Sequence, residues 1–347
     1  VKTFETIGVD ELYSYMIKPF STTGIGSLPH KDAEEACRLI LKTFDIPFWP
    51  QLPGISFREF MIPQYSEGMP AMRIDAERKT VWIDNSPEEL ERFYETWTEK
   101  SRIAISDDFA HGFHTFLRII QNRKFNFLKG QITGPLTFSL GIKDSEGKPA
   151  YFNEELREIS LMLLKAKARW QYDMLQPHAG RVIIFIDEPI LSALGSSSYL
   201  GVNPDEALRM LQDVVKAIRE EGGLSGIHCC GTADWPLVIR SGVDIINFDA
   251  YDYGDTIALY PSEFGGFLER GGLLACGIVP TSDAIQGESP ESILIRFNRF
   301  RDRLLHSLPE LFASRMLLTP SCGTGSLTVA ETLKVFQLLM GLREELT

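Results

Sequence analysis

Three potential metal ligands crowd one short stretch, GIHCCGT, where His228, Cys229 and Cys230 stand in a row in a chain of only 5 cysteines and 6 histidines. A disulfide between sequence neighbours needs a distorted peptide and closes no useful loop. In an extended segment side chains alternate, so His228 and Cys230 share one face and Cys229 turns to the other, as a packed thiol. Further along, VDIINFD puts Ile245, Asn247 and Asp249 on one face, and PSCG places Cys322 just before a glycine that allows a tight turn. His228, Cys230, Asp249 and Cys322 together supply two thiolates, one imidazole and one carboxylate. Sulfur with nitrogen in a four-ligand set suits zinc. Asp252 and Asp255, in the following YDYGD, are the alternatives for the carboxylate. Cys37, within a helical pattern, and Cys276, within an apolar run, read as core thiols.

A second group of polar residues follows other apolar runs. Asp187 and Glu188 emerge directly after VIIFI, where Asp187 can meet the amino group of an amino acid and Glu188 can bind a loop or cap a helix. In TGIGS, Gly26 lets a ligand approach the backbone and Ser27 can donate a hydrogen bond to a carboxylate.

These residues need elements that bring them together. Short Val/Ile/Leu/Phe runs predict strands over residues 23–27, 48–52, 127–133, 182–187, 225–230, 243–249, 273–279 and 316–321. Amphipathic patterns predict helices between them, clearest over 32–44, 87–100, 154–175, 204–220, 291–306 and 329–345. Eight strands, mostly followed by helices, predict an α/β fold, a (β/α)8 TIM barrel forming one catalytic domain over residues 1–347. The charged turn in MRIDAERKTVWID predicts an inserted β-hairpin near residues 71–84. In such a barrel the chemistry gathers at the C-terminal ends of the strands, where the polar residues above all fall.

Composition narrows the function. A net charge of −12 argues against nucleic-acid binding, which needs a basic surface. No apolar run approaches the roughly 20 residues of a membrane span, and the N-terminus lacks a signal layout. Scattered cysteines in odd number read as reduced thiols, so a cytoplasmic location is expected.

Taken together, IGS (residues 25–27), IDEP (186–189), the His-x-Cys of His228 and Cys230, the carboxylate closing VDIINFD and PSCG (320–323) make the chain resemble the catalytic domain of cobalamin-independent methionine synthases, within the uroporphyrinogen decarboxylase/methionine synthase barrel superfamily. The resemblance implies a zinc-dependent methyltransferase that activates homocysteine as a thiolate and methylates it to methionine. It implies zinc on His228, Cys230, Asp249 and Cys322, and a homocysteine pocket built from Ile25, Ser27, Glu67 and Asp187, with Glu59 as the alternative to Glu67. Two departures concern the methyl donor. GPLTFSLGIKD lacks the tryptophan on which the folate ring rests, and GIVPTSDAIQ lacks the histidine that serves as general acid. The expected donor is therefore a methylcorrinoid, on its own or carried by a corrinoid protein, rather than methyltetrahydrofolate. The competing readings are a methyltransferase to another thiol such as coenzyme M, a metal-free uroporphyrinogen decarboxylase-type lyase, and a non-catalytic zinc- or corrinoid-binding protein.

Overall fold

The computed structural model describes residues 16–84, 86–194, 196, 199–306, 308 and 311–347. Its centre is a six-stranded parallel sheet in the order β3 (Phe125–Thr133), β5 (Ala179–Asp187), β6 (Leu224–Cys229), β7 (Ile245–Asp249), β8 (Leu273–Val279) and β9 (Met316–Pro320). Neighbours in this order are consecutive in the chain but for one two-residue strand, and all pair in parallel, as successive β–α–β units do. Two further strands, β1 (Met72–Asp75) and β2 (Thr80–Ile83), pair antiparallel, with Met72 opposite Ile83. β2 continues in parallel onto the short β4 (Lys143–Asp144).

Each strand of the main sheet is buried on both faces. The inner face carries Phe127, Ile183, Phe185, Ile245, Ala275 and Leu317, which pack on one another. The outer face, with Leu128, Ile184, Ile227, Cys229 and Phe248 among others, packs in the larger core. The helices present their apolar stripes to it. Pro204–Glu220 buries Ala207, Met210, Leu211, Val214 and Ile218, the 3-and-4 spacing of one helical face. Its start is fixed by Asn203, which accepts hydrogen bonds from the Asp205 and Glu206 amides, with Pro204 in the first turn.

Where strands were expected over residues 23–27 and 48–52, the structure has single parallel bridges instead of ladders: Thr22 with Leu318, Ser27 with Gln51 and Phe48 with Lys129. Two features of the sequence break the ladder. Pro47, Pro50 and Pro53 have no N–H to give, and the Thr22 amide donates to the Asp45 side chain at 3.0 Å. The segments still lie close, because Gly24 has no Cβ; one built there would sit 2.3 Å from the Phe48 ring.

Glu188 shows how strand ends and helix starts lock together. Its fully buried carboxylate accepts from the Leu136 amide at 2.7 Å, the Thr137 amide at 2.9 Å and the Thr137 hydroxyl at 2.6 Å. It thus caps the helix Pro135–Gly141, which follows a different strand. A Cβ at Gly134 would lie 2.1 Å from this carboxyl, so the Gly-Pro-x-Thr sequence is the cradle for Glu188. Glu188→Ala should strip three donors of their acceptor at once. We expect a loss of roughly 3 kcal/mol of stability, read from denaturant midpoints.

Candidate metal centre

The inner-face residues at the C-terminal ends of β5, β6 and β7 are in register. Asp187 stands opposite His228, and His228 opposite Asn247. Gly226, two residues before His228 on the same face, leaves room for the Phe185 ring; a Cβ there would meet it at 2.3 Å. Cys230 follows directly on β6, and Cys322 lies in the turn after β9. The ligand atoms of His228, Cys230 and Cys322 all lie within 4.8 Å of one another. Cys229 points outward into the helix-packed core, and burial pushes its thiol up to about 12.

The imidazole of His228 is set for coordination. Its Nδ1 is hydrogen-bonded to Asn247 Oδ1, and the Asn247 amide nitrogen donates to the Ala275 carbonyl at 2.7 Å and the Thr319 hydroxyl at 2.8 Å. Those two acceptors fix which end of the amide faces the ring. Asn247 must accept, so Nδ1 carries the hydrogen and Nε2 keeps a bare lone pair. Nε2 is buried and has no hydrogen-bond partner among the described residues. An orphaned buried acceptor next to two thiols is a poor structural feature and a good metal ligand. The electrostatics agree. Cys230 is pushed down to about 4 by its closeness to Cys322 and to the His228 ring, whereas Cys322 is pushed up by the same contact with Cys230 and by burial. Burial by itself would lower the His228 pKa, but Cys230, Asp187 and Asn247 outweigh it and raise it. The pocket thus favours a thiolate at Cys230, and its nitrogen–sulfur donor set fits zinc.

Asn247→Ala should release the imidazole from its fixed tautomer. We expect metal affinity to fall about 10–100-fold in a competition titration with a chelator.

The remaining predicted residues are placed as follows. Asp249 is buried at the end of β7, but its carboxylate is not part of the three-residue cluster. It accepts from the Asp252 amide at 3.0 Å and caps the short helix Ala250–Tyr253. Burial raises its pKa to about 6. Ser27 is brought against the turn that carries Cys322. Its hydroxyl accepts from the Gly325 amide at 3.3 Å, its carbonyl accepts from the Thr324 amide at 2.8 Å, and a Cβ at Gly323 would strike its hydroxyl at 2.1 Å. Ile25 and Gly26 line the same small hollow as Cys322 and Gly323. Asp187 is buried beside the cluster with its Oδ1 unpartnered; burial raises its pKa against the pull of His228 and Lys129.

Glu67 is not brought to this group by any contact. Its carboxylate accepts from the Ser106 amide at 2.7 Å, on the side where Lys167 of the helix Glu154–Leu175 is buried. Glu59 is buried and bound to the Leu52 and His111 amides at 2.9 and 3.2 Å, a packing role. The residues that reasoning from sequence passed over are Asn247, as the partner of His228, and Lys129 and Gln131 on β3. Their signal was present: polar side chains at inward positions of runs that are otherwise apolar.

No protein-family model matches the chain, and no curated protein matches it. Solved structures do match. One is a B12-independent methionine synthase from Shewanella sp. W3-18-1 in complex with selenomethionine, at 13% sequence identity, covering 94% of this chain and 97% of that one, with a TM-score of 0.60. At that identity the likeness is one of fold.

Proposed function

We propose that this chain is a zinc-dependent methyltransferase that takes homocysteine as acceptor and forms methionine, with a methylcorrinoid as donor. The observation that carries the reading is the convergence of His228 Nε2, Cys230 and Cys322 at the strand ends, beside an unpartnered Asp187 and the Ser27 turn. Zinc, when bound, lowers the pKa of a coordinated thiol so that the thiolate is present near neutral pH. His228, Cys230 and Cys322 are the resident ligands in this reading. Asp249 is the exchangeable fourth, since it must give up its cap on Asp252 to serve. Ser27 faces the carboxylate of the amino-acid acceptor and Asp187 its ammonium, which fixes the direction from which the sulfur enters. Glu67 is the weakest member of the proposed pocket, because its carboxylate is already engaged with Ser106.

The same reading takes the fold to be a (β/α)8 barrel in a single catalytic domain, with β1 and β2 as an inserted hairpin. Support comes from the bridges that link β9 through residues 22–27 and 48–51 to β3. The inferred location is the cytoplasm, where thiol ligands stay reduced. Among the described residues no helix is long and apolar enough to cross a membrane. A porphyrinogen lyase would need several free arginines to meet the substrate carboxylates, whereas Arg58 is paired with Asp108 and Arg73 with Glu89.

Methionine formation by zinc-loaded protein supplied with homocysteine and methylcobalamin tests the reading; no methionine from any methyl donor would end it. Asp187→Asn should weaken homocysteine binding by roughly tenfold or more, because a charge-assisted contact in a secluded site is lost. Its zinc content, read by elemental analysis, should stay that of the parent.

A further inference from the structure

We propose that Lys129 is a positioning residue of the amino-acid pocket, anchoring through the Ile25 carbonyl the turn that faces the substrate carboxylate. This rests on the amino-acid acceptor of the preceding reading. Lys129 lies on the inward face of β3, fully buried, where a lysine is costly. Its ammonium donates to the Ile25 carbonyl at 2.7 Å and to Gln131 Oε1 at 3.3 Å. It also sits 4.6 Å from the centre of the Phe185 ring and 5.3 Å from that of Phe48. Among the described residues no carboxylate forms an ion pair with it. Burial lowers its pKa to about 7 against the charge of Asp187, whose buried Oδ1 has no partner among the described residues.

Packing does not require this arrangement. Methionine would fill the space between the two rings, and replacing buried charge by an apolar side chain of similar size is often neutral or stabilising. What methionine cannot do is hold Ile25. In a trans peptide the carbonyl and the following N–H point in opposite directions. With the Ile25 carbonyl drawn down to Lys129, the Gly26 N–H is therefore directed away from the lysine, at the turn where Ser27 meets the Cys322 loop. Lys129 thus holds one half of the pocket, the turn, through a hydrogen bond, and Asp187 is the other half. An incoming zwitterion would complete them: its carboxylate at the turn, its ammonium on Asp187.

The test compares parent and Lys129→Met, both zinc-loaded, by calorimetric binding of homocysteine and of propanethiol, which has the sulfur but no amino-acid group. The expected result is a loss of roughly tenfold or more for homocysteine alone, the size of a charged hydrogen bond. Propanethiol affinity and zinc content should match the parent. Homocysteine affinity within twofold of the parent overturns the proposal, and so does an equal loss for both thiols, which marks a merely structural lysine. If Lys129→Met does not fold, Lys129→Leu, which likewise has no donor for the Ile25 carbonyl, is measured against the same two outcomes. A parent that binds homocysteine no better than propanethiol refutes the amino-acid pocket itself, a failure visible before any variant is made.

Discussion

Cys230→Ser and Cys322→Ser are each expected to leave the protein essentially free of zinc, while Cys229→Ser keeps about one zinc per chain. The three cysteines differ in where the backbone aims them. Cys230 and Cys322 meet His228 within 4.8 Å, and Cys229 turns into the helix-packed core. Serine is a poor replacement for a thiolate ligand, since its hydroxyl does not ionise near neutral pH and lacks the soft donor that zinc favours. The loss should exceed the roughly 10–100-fold that removal of an outer partner such as Asn247 costs. Elemental analysis after dialysis against a weak chelator reads the outcome. Full zinc in both Cys230→Ser and Cys322→Ser would discard the site. Asp249→Ala belongs in the same series: because Asp249 caps Ala250–Tyr253 and stands outside the cluster, we expect that variant to retain metal while losing part of its affinity.

Methionine is expected to form from methylcobalamin much faster than from methyltetrahydrofolate. Breaking the folate N–CH3 bond requires protonation of the leaving nitrogen, and so an acid held near it. After β8 the chain offers Thr281, Ser282 and Asp283. Thr281 is tied to Ser321 at 3.1 Å, and Asp283 is exposed at the start of a short 3-10 turn. Neither is a secluded acid. A corrinoid departs as a stable anion and needs no proton, so the absence of an acid does not slow it. Parallel assays with the two donors, at equal concentration and without added corrinoid protein, decide the matter. Equal or faster turnover with methyltetrahydrofolate would reverse the assignment.

The alternation of His228, Cys229 and Cys230 was sufficient to predict which two face inward, because side-chain direction in a strand follows from backbone geometry alone. The apolar runs marked all six strands of the main sheet, because a strand covered on both faces is apolar over most of its length, with polar positions such as Lys129, His228 and Asn247 few enough not to break the pattern. Residues 23–27 and 48–52 read as strands by composition, but sequence periodicity does not reveal hydrogen bonding, and prolines and the Asp45 side chain reduce them to single bridges. For Glu188 the sequence left open a contact with a loop or a cap on the next helix; it caps the helix after β3 instead, which only the register of β3 against β5 supplies.

The sequence by itself determined the identities of the donors and the strands that carry them, since both are local properties. Tertiary structure alone decided that Cys322 meets His228 and Cys230, that Asn247 fixes the imidazole, that Asp249 is occupied as a cap and that Glu67 answers to Ser106. Each of these depends on distances between residues far apart in the chain. Those distances are set by sheet register and by competition among hydrogen-bond partners, and neither is written in the spacing along a single segment.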